Sequence, residues 1–292
     1  MNRRGFTLVD VGVVIVAVLL LIGLALAAAS ANGGVSRRAA CAKNLRDLGM
    51  ACKIYANDFC DWWPVAPHHK TKFEGLSAIG MHRQHGDLAH ADPSIGQSLF
   101  LLVRMGSTTF RMFVCPGRGC TDKVDSTANP MPFHDFMSAK NLSYGYQHPY
   151  GPSAAKPREA LDPGMPVIAD KCFTSVGPVG AAGRAGKDKD FNKWGAERWK
   201  AYNSAHHHGE GQCVLFLDGH VAFEHTAACG LPRKAFPRKR PYPHKDLIYE
   251  NADGVFGGDP KGWPLDAKDG VIAFRAAKDS KKGVLDLDRP RF

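Results

Sequence analysis

The longest hydrophobic stretch of the chain runs from Val11 to Ala31 and contains no charged residue. About 20 apolar residues, each adding about 1.5 Å to a helix, suffice to cross the hydrocarbon core of a bilayer. The stretch therefore predicts a transmembrane helix. A cleaved signal peptide is the alternative, because the small residues at 27–31 could provide a cleavage site after the apolar region.

A second, amphipathic pattern follows the first. Apolar or small residues recur there in steps of four and three, which places them on one face of a helix. They are Cys41, Leu45, Leu48, Cys52, Tyr55 and Phe59. Pro64 ends the pattern, since the residue before a proline avoids the helical conformation. We therefore predict one long helix from about Phe6 to about Asp58, with its second half packed on a globular domain.

The residues ahead of the apolar stretch follow a distinctive order: Arg3 and Arg4, then Gly5, Phe6 and Asp10. This order resembles the prepilin leader of type IV pilins and type II secretion pseudopilins. The resemblance implies cleavage between Gly5 and Phe6 by a prepilin peptidase, which also methylates the new amino group of Phe6. Asp10 stands where the family usually has Glu, and in assembled pilins that carboxylate neutralises the terminal amine of a neighbouring subunit.

Elementary electrostatics supports a role for Asp10. Once Phe6 is the terminus, its ammonium lies at the positive end of a helix dipole, which is unfavourable. Asp10 lies about one turn further along and can offset that charge.

The leader implies a cytoplasmic N-terminus, whereas the basic residues that follow the apolar stretch favour the opposite orientation. Those residues are Arg37, Arg38, Lys43 and Arg46.

A narrower resemblance covers most of the chain. His208, nine further residues and Asp218-Gly219 resemble the His-x9-Asp-Gly motif of pilin-like proteins that are abundant in planctomycetes. Other landmarks of that group occur in the same order, namely the segment 38–64, Cys115-Pro116, Ser143–Tyr146 and Val167–Asp170. The resemblance implies a pilin-like architecture, and the match thins between about 175 and 201 and after about 229.

Beyond Pro64 the pattern changes to short apolar runs bounded by turn residues, which favours β-strands in a loop-rich domain. The runs are Ser98–Val103, Phe110–Val114, Pro166–Ala169, Val214–Leu217, Val221–Phe223 and Gly270–Phe274. The segment 98–104 could equally form a helical turn. The predicted class is α+β, with a long N-terminal helix packed on a β-rich domain. The segments are a leader (1–5), a transmembrane helix (6–33), its amphipathic continuation (34–62) and the β-rich domain (63–292).

The formal net charge is +10 at neutral pH. Much of the excess lies at 233–245, where six Lys or Arg residues have no acidic neighbour. We interpret this segment as a solvated loop, with a patch for DNA, acidic polysaccharide or anionic lipid as the alternative.

Eight cysteines in a domain expected outside the cytoplasm could form disulfides. Cys41 and Cys52 lie about 16 Å apart along the predicted helix and cannot pair. Cys115 and Cys120 could close a small loop, and Cys172, Cys213 and Cys229 are candidates for longer links. A zinc site at Cys115 and Cys120 is the alternative, although the chain has no pair at Cys-x2-Cys spacing.

The histidines near the C-terminal motif form the one candidate metal or catalytic group. His206 and His208 would point the same way in an extended segment, with Asp218 and His220, or His225, completing the ligands. The structural alternative, which we favour, makes Asp218-Gly219 a hairpin turn with positive φ at both residues, and gives His208 a role in fixing the preceding loop. We expect no enzymatic activity and no cofactor.

Together these features predict a pilin-like or pseudopilin subunit with a structural role in a type IV pilus or a type II secretion-like assembly. It would be anchored in the inner membrane by one helix, with the N-terminus in the cytoplasm and the large domain in the periplasm or outside the cell. Its expected partners are the prepilin peptidase and methylase, membrane lipid and other pilin-like subunits. The alternatives are a tethered module that binds polyanions or glycans without polymerising, and a metal-binding surface protein.

Overall fold

The computed structural model describes residues 8–67, 76–81, 83–84, 93–150, 156–171, 194–231 and 272–273. Within its helices and strands, the side chains of residues 8, 10, 24–33, 201 and 272–273 are not described. The helices are α1 (Leu8–Asp58), α2 (Ile95–Arg104) and α3 (Ala196–Tyr202), with 3₁₀ turns at Phe110–Phe113, Ala139–Asn141 and Ala205–His207. The strands are β1 (Tyr144–Gln147), β2 (Pro166–Asp170), β3 (Gln212–Phe216), β4 (Val221–Glu224) and β5 (Ile272–Ala273). The predicted α+β class is confirmed.

The strands form one sheet in the order β4-β3-β2-β1-β5, and every neighbouring pair is antiparallel. Strands β1, β2 and β3 are buried along their whole length. Alternate residues of a strand point to opposite faces of a sheet. In β3, Cys213 and Leu215 accordingly join the core under α1, whereas Val214 and Phe216 pack with α3 on the other face. The sheet therefore lies between two helical layers.

Helix α1 is 51 residues long, and among its described side chains those buried against the domain all lie in the second half. Five of the six residues on the predicted stripe are buried: Cys41, Leu45, Leu48, Cys52 and Tyr55. Phe59 is 46% exposed and stacks on Tyr55, with 4.1 Å between ring centroids. Phe59 does not belong to the buried face because α1 ends at Asp58, whereas the predicted amphipathic segment extends to residue 62.

The end of α1 is fixed by two residues with left-handed backbone. Cys60 has φ 53° and Asp61 has φ 65°. The N–H of Asp61 donates to the carbonyl of Ala56 at 2.9 Å, which closes the last turn as Schellman-type caps do. The chain then turns back toward the domain, where Trp63 is fully buried.

One predicted strand is wrong, and for another segment the helical alternative is confirmed. Residues 98–104, which could equally form a helical turn, belong to α2, where Ser94 caps the helix by accepting a hydrogen bond from the N–H of Gln97 at 3.1 Å. The run at 110–114 forms a 3₁₀ turn over Phe110–Phe113. That turn lets Phe110 and Phe113 both pack against Phe136, at centroid distances of 6.1 and 5.0 Å, whereas an extended strand would place alternate residues on opposite faces.

The other predicted strands are present with shifted ends. They correspond to β2, β3 and β4, while β5 covers 272–273 and the rest of the run at 270–274 lies outside the described residues. Strand β1 was not predicted as a strand, because Tyr144–Gln147 contains a glycine and no run of aliphatic residues. Among the residues whose side chains are described, no helix is long and apolar enough to cross a membrane. The predicted span from Val11 to Ala31 includes residues 24–33, whose side chains are outside that description.

Candidate buried cysteine, histidine and aspartate site

Four side chains from four separate segments meet between α1 and the sheet. They are Cys41 of α1, Cys115 of the loop after the 3₁₀ turn at Phe110–Phe113, Asp170 at the end of β2, and His207 of the 3₁₀ turn before β3. Their exposed fractions lie between 0% and 6%. One donor atom from each lies within 4.8 Å of every other. We call these four residues the Cys/His/Asp cluster.

The contacts within the cluster form a closed ring. The Sγ atoms of Cys41 and Cys115 are 3.5 Å apart, and Cys115 Sγ is 3.6 Å from His207 Nε2. His207 Nε2 is 3.1 Å from Asp170 Oδ2, and that oxygen is 3.7 Å from Cys41 Sγ. Each member therefore touches two others, and soft sulfur, imidazole nitrogen and carboxylate oxygen all face one point.

Further groups surround the cluster. The backbone N–H of Cys213 donates to Asp170 Oδ2 at 2.8 Å, and the Cys213 Sγ atom lies 4.0 Å from His207 Nε2. The hydroxyl of Tyr144 is 3.5 Å from Cys41 Sγ. These contacts fix the orientation of the Asp170 carboxylate and of the Cys41 thiol, because a buried polar group needs partners in place of water.

The histidine-rich turn explains why two adjacent histidines enter the interior. Ser204 caps the 3₁₀ turn, and His208 ends it with a left-handed backbone at φ 55°. In this turn His206 and His207 are both buried and both face Asp170, whereas His208 is exposed. The condition for pairing His206 with His208 in the metal alternative, an extended segment, is not met, because the chain forms a 3₁₀ turn there.

Two glycines let the loop that carries Cys115 lie directly on this turn. A Cβ at Gly117 would lie 2.2 Å from the carbonyl oxygen of His206, and one at Gly119 would lie 2.0 Å from that of Ala205. The N–H of Gly119 donates to the His206 carbonyl at 3.0 Å. Only backbone without a side chain can approach so closely, so these glycines bring Cys115 to His207.

A second group adjoins the cluster and contains Cys120, Asp122 and His206. Asp122 already has a cation, because Lys171 Nζ lies 2.7 Å from its Oδ1, and it accepts a hydrogen bond from Ser143 at 2.7 Å. His206 connects the two groups, with Nε2 3.4 Å from Asp122 and Nδ1 3.5 Å from Asp170. The second group is thus a largely satisfied ion-pair network.

The buried charges shift one another's titration. Burial alone would raise the pKa of Asp170, but hydrogen bonds with His206 and His207 bring it below its ordinary value. Burial alone would lower the pKa of His207, yet contacts with Asp170, Cys115 and Cys213 raise it instead. The hydrogen bond between the two thiols lowers the pKa of Cys115 and raises that of Cys41. These directions favour the charged forms of all three groups, with a His207 imidazolium beside the Cys115 thiolate and the Asp170 carboxylate.

The structure does not bring together the four residues of the alternative metal site. His206 belongs to the buried groups described above, but His208 is exposed, and Asp218 and His220 form a separate exposed pair with Nδ1 2.6 Å from Oδ1. Cys115 and Cys120, for which a disulfide was one possibility, are both free thiols. Cys115 lies against Cys41 instead, since the glycine-rich loop carries it toward α1.

The hairpin predicted at Asp218-Gly219 is present, but its turn differs from the predicted one. Gly219 has φ 97°, whereas Asp218 is not among the residues with positive φ. Four residues (217–220) connect β3 to β4, and the N–H of Gly219 donates to the carbonyl of Phe216 at 2.9 Å. Because the N–H of Phe216 donates to the carbonyl of His220 at 3.0 Å, the loop proper is the three residues 217–219, and a loop of that length takes a type I turn followed by a glycine bulge, which needs one left-handed residue rather than two.

Four predictions fall on undescribed parts of the chain. The cleavage site at Gly5 and Phe6, the side chain of Asp10, Cys172 and the basic segment 233–245 all lie outside the described residues. Sequence reasoning also missed three members of the site: Cys41, Asp170 and His207. An available signal was the acidic residue that ends the otherwise apolar run Pro166–Asp170, since a buried carboxylate requires partners.

Comparison of the chain with protein-family models, with curated proteins and with solved structures gives no match in any of the three. The functional argument therefore depends on the residues and geometry of this chain.

Proposed function

We propose that the protein is a membrane-anchored, pilin-like subunit that assembles through the first half of α1. The observation that supports this proposal is the division of that helix into two parts. From Arg38 onward it contacts the domain, with the Arg38 guanidinium 4.3 Å from the ring centre of Phe223 and paired with Glu210. Before Arg38, none of the side chains described between Val9 and Gly23 is buried.

The exposed part of α1 is apolar on every side. Its large apolar residues whose side chains are described are 47–71% exposed. They fill the successive positions 13–16 and 18–22, so they cover the whole circumference of the helix instead of one stripe. Helices that are apolar all round are surrounded by lipid or by other apolar helices. The 30 residues from Leu8 to Arg37 would reach about 45 Å, which exceeds the hydrocarbon thickness of a bilayer.

The same division suits assembly of subunits. In the lipid-bound state acyl chains would cover the apolar half, and in a filament the equivalent helices of neighbouring copies would replace them. Processing between Gly5 and Phe6 would leave the amino group of Phe6 at the start of this helix, with Asp10 of a neighbouring copy as its counter-ion. The globular domain would remain outside the membrane, attached through the second half of α1.

The first test is intact mass and N-terminal sequencing of the protein extracted from its native membrane. We expect a chain that begins at N-methylated Phe6, and we expect Gly5→Leu to abolish processing while Gly34→Leu, which meets no neighbouring atoms within 4 Å, leaves it unchanged. A mature chain that begins near Ala31 would show a secreted protein and would contradict the proposal.

A second measurement separates assembly from simple tethering. Single cysteines can be introduced in the exposed half of α1, for example by Val13→Cys and Leu20→Cys. The introduced thiols are then oxidised in the membrane. Crosslinked ladders that Asp10→Ala reduces, with membrane content unchanged, are the result expected of an assembling subunit. A processed, membrane-bound chain that gives no crosslinks would favour the tethered binding module.

A further inference from the structure

The Cys/His/Asp cluster has the donor atoms of a zinc site. Zn²⁺ in proteins is bound by cysteine sulfur, histidine nitrogen and carboxylate oxygen, almost always with four ligands in a tetrahedron. The cluster supplies two sulfurs, one imidazole nitrogen and one carboxylate oxygen, all buried. These donors come from segments up to 166 positions apart in the chain, so the fold itself assembles the set.

The distances between the donors match that geometry. Bonds of about 2.0–2.3 Å to a tetrahedral Zn²⁺ place neighbouring donor atoms about 3.3–3.8 Å apart. Four of the six edges are the ring contacts described above, at 3.5, 3.6, 3.1 and 3.7 Å. The two diagonal edges lie within 4.8 Å. The four ring edges therefore fit a tetrahedral ion to within a few tenths of an ångström, and closure of the two diagonals around the ion requires shortening by on the order of 1 Å at most.

We propose that Cys41, Cys115, His207 and Asp170 bind one Zn²⁺ ion. The neighbouring group is a poorer site, because the ammonium of Lys171 already neutralises Asp122 and would repel a second cation. The backbone N–H of Cys213 hydrogen-bonds Asp170, and His206 Nδ1 lies 3.5 Å from its Oδ1, so both groups hold the carboxylate in position, as second-shell partners of metal ligands do. Binding displaces the thiol protons of Cys41 and Cys115, since cysteine coordinates as the thiolate.

The ion would join α1 directly to the sheet and to both loops that cover it. Cys41 lies three residues beyond Arg38, where the helix first contacts the domain. Zinc at this point would lock the helix against the domain close to the place where its exposed half begins. This structural role does not depend on how that exposed half is used.

The test measures zinc in the full chain, purified in detergent with a thiol reductant and without added chelator. We expect about one zinc per chain in the wild type and about tenfold less in Cys115→Ser. Cys52→Ser is the matched control, because Cys52 is a fully buried thiol of the same helix that lies outside the cluster. It should retain the zinc of the wild type. Equal zinc in the two variants would overturn the assignment.

Cobalt provides a measurement that needs no variant. Titration of Co²⁺ into chelator-treated wild type should give the visible bands of tetrahedral thiolate coordination, saturating at about one equivalent and bleached by Zn²⁺. Absence of these bands would overturn the proposal. So would peptide mapping of the native, unreduced protein that finds Cys41 and Cys115 joined as a disulfide, because oxidised sulfurs cannot act as thiolate ligands.

Discussion

The packing of α1 on the sheet can be tested by truncating one buried side chain. Leu48 is fully buried on the face of α1 that packs on the domain core, whereas Ile54 lies on the same helix and is 53% exposed. Replacing a fully buried leucine by alanine loses apolar contact and leaves a cavity, which typically lowers the free energy of unfolding by about 2–5 kcal/mol. Ile54→Ala should change it by less than about 0.5 kcal/mol, because alanine favours the helix and little burial is lost.

These free energies convert to measurable temperatures. For a domain of about 150–250 residues, a loss of 1 kcal/mol lowers Tm by about 2–4 °C. Leu48→Ala is therefore expected to lower the Tm by about 6–12 °C for a loss of about 3 kcal/mol, and Ile54→Ala by no more than about 2 °C. Near-UV circular dichroism of the full chain in detergent follows the buried aromatic residues through the transition. Equal Tm values for the two variants would refute the packing of this half of α1 in the core.

Two further predictions concern the loops and the acid stability of the domain. Gly119→Ala would place a Cβ 2.0 Å from a backbone oxygen, so we expect the free energy of unfolding, measured in urea, to fall by about 1–3 kcal/mol. Gly195→Ala is the control, because a Cβ there has open space and should cause no such loss. Burial lowers the pKa of His148 to about 3, so the unfolded chain takes up its proton first and stability falls as the pH drops below about 6.5. Between about pH 7.5 and pH 5 the wild type should lose about 2 kcal/mol more than His148→Phe, and equal losses would contradict this assignment.

Periodicity predicted the parts of the fold in which one element buries one face. The stripe on α1 needed only the spacing of apolar residues, since a helix repeats every 3.6 residues wherever it packs. Strands β2, β3 and β4 were predicted from short apolar runs with turn residues between them. The same rule failed at Phe110–Phe113, because the aromatic side chains there converge on Phe136, which lies more than twenty residues away in the chain.

The candidate site was predicted only in part. The candidate metal ligands were chosen because they are close in the chain, namely the histidines at 206–208 together with Asp218 and His220. The structure instead unites His207 with Asp170 and with two cysteines. Local sequence could not indicate this grouping, because a 3₁₀ turn rather than an extended segment decides which histidines face inward.

The sequence by itself determined the division of α1 into an apolar half and an amphipathic half, the α+β class and the hairpin at Gly219. These features depend on local periodicity and on single-residue backbone preferences. Only the tertiary structure decided that Cys41, Cys115, Asp170 and His207 meet at one point. Their contact requires antiparallel pairing of β2 with β3 and the packing of α1 on that sheet. It also requires the close backbone approach that Gly117 and Gly119 permit. Contacts between distant segments arise from the packing of whole elements, which no local pattern encodes.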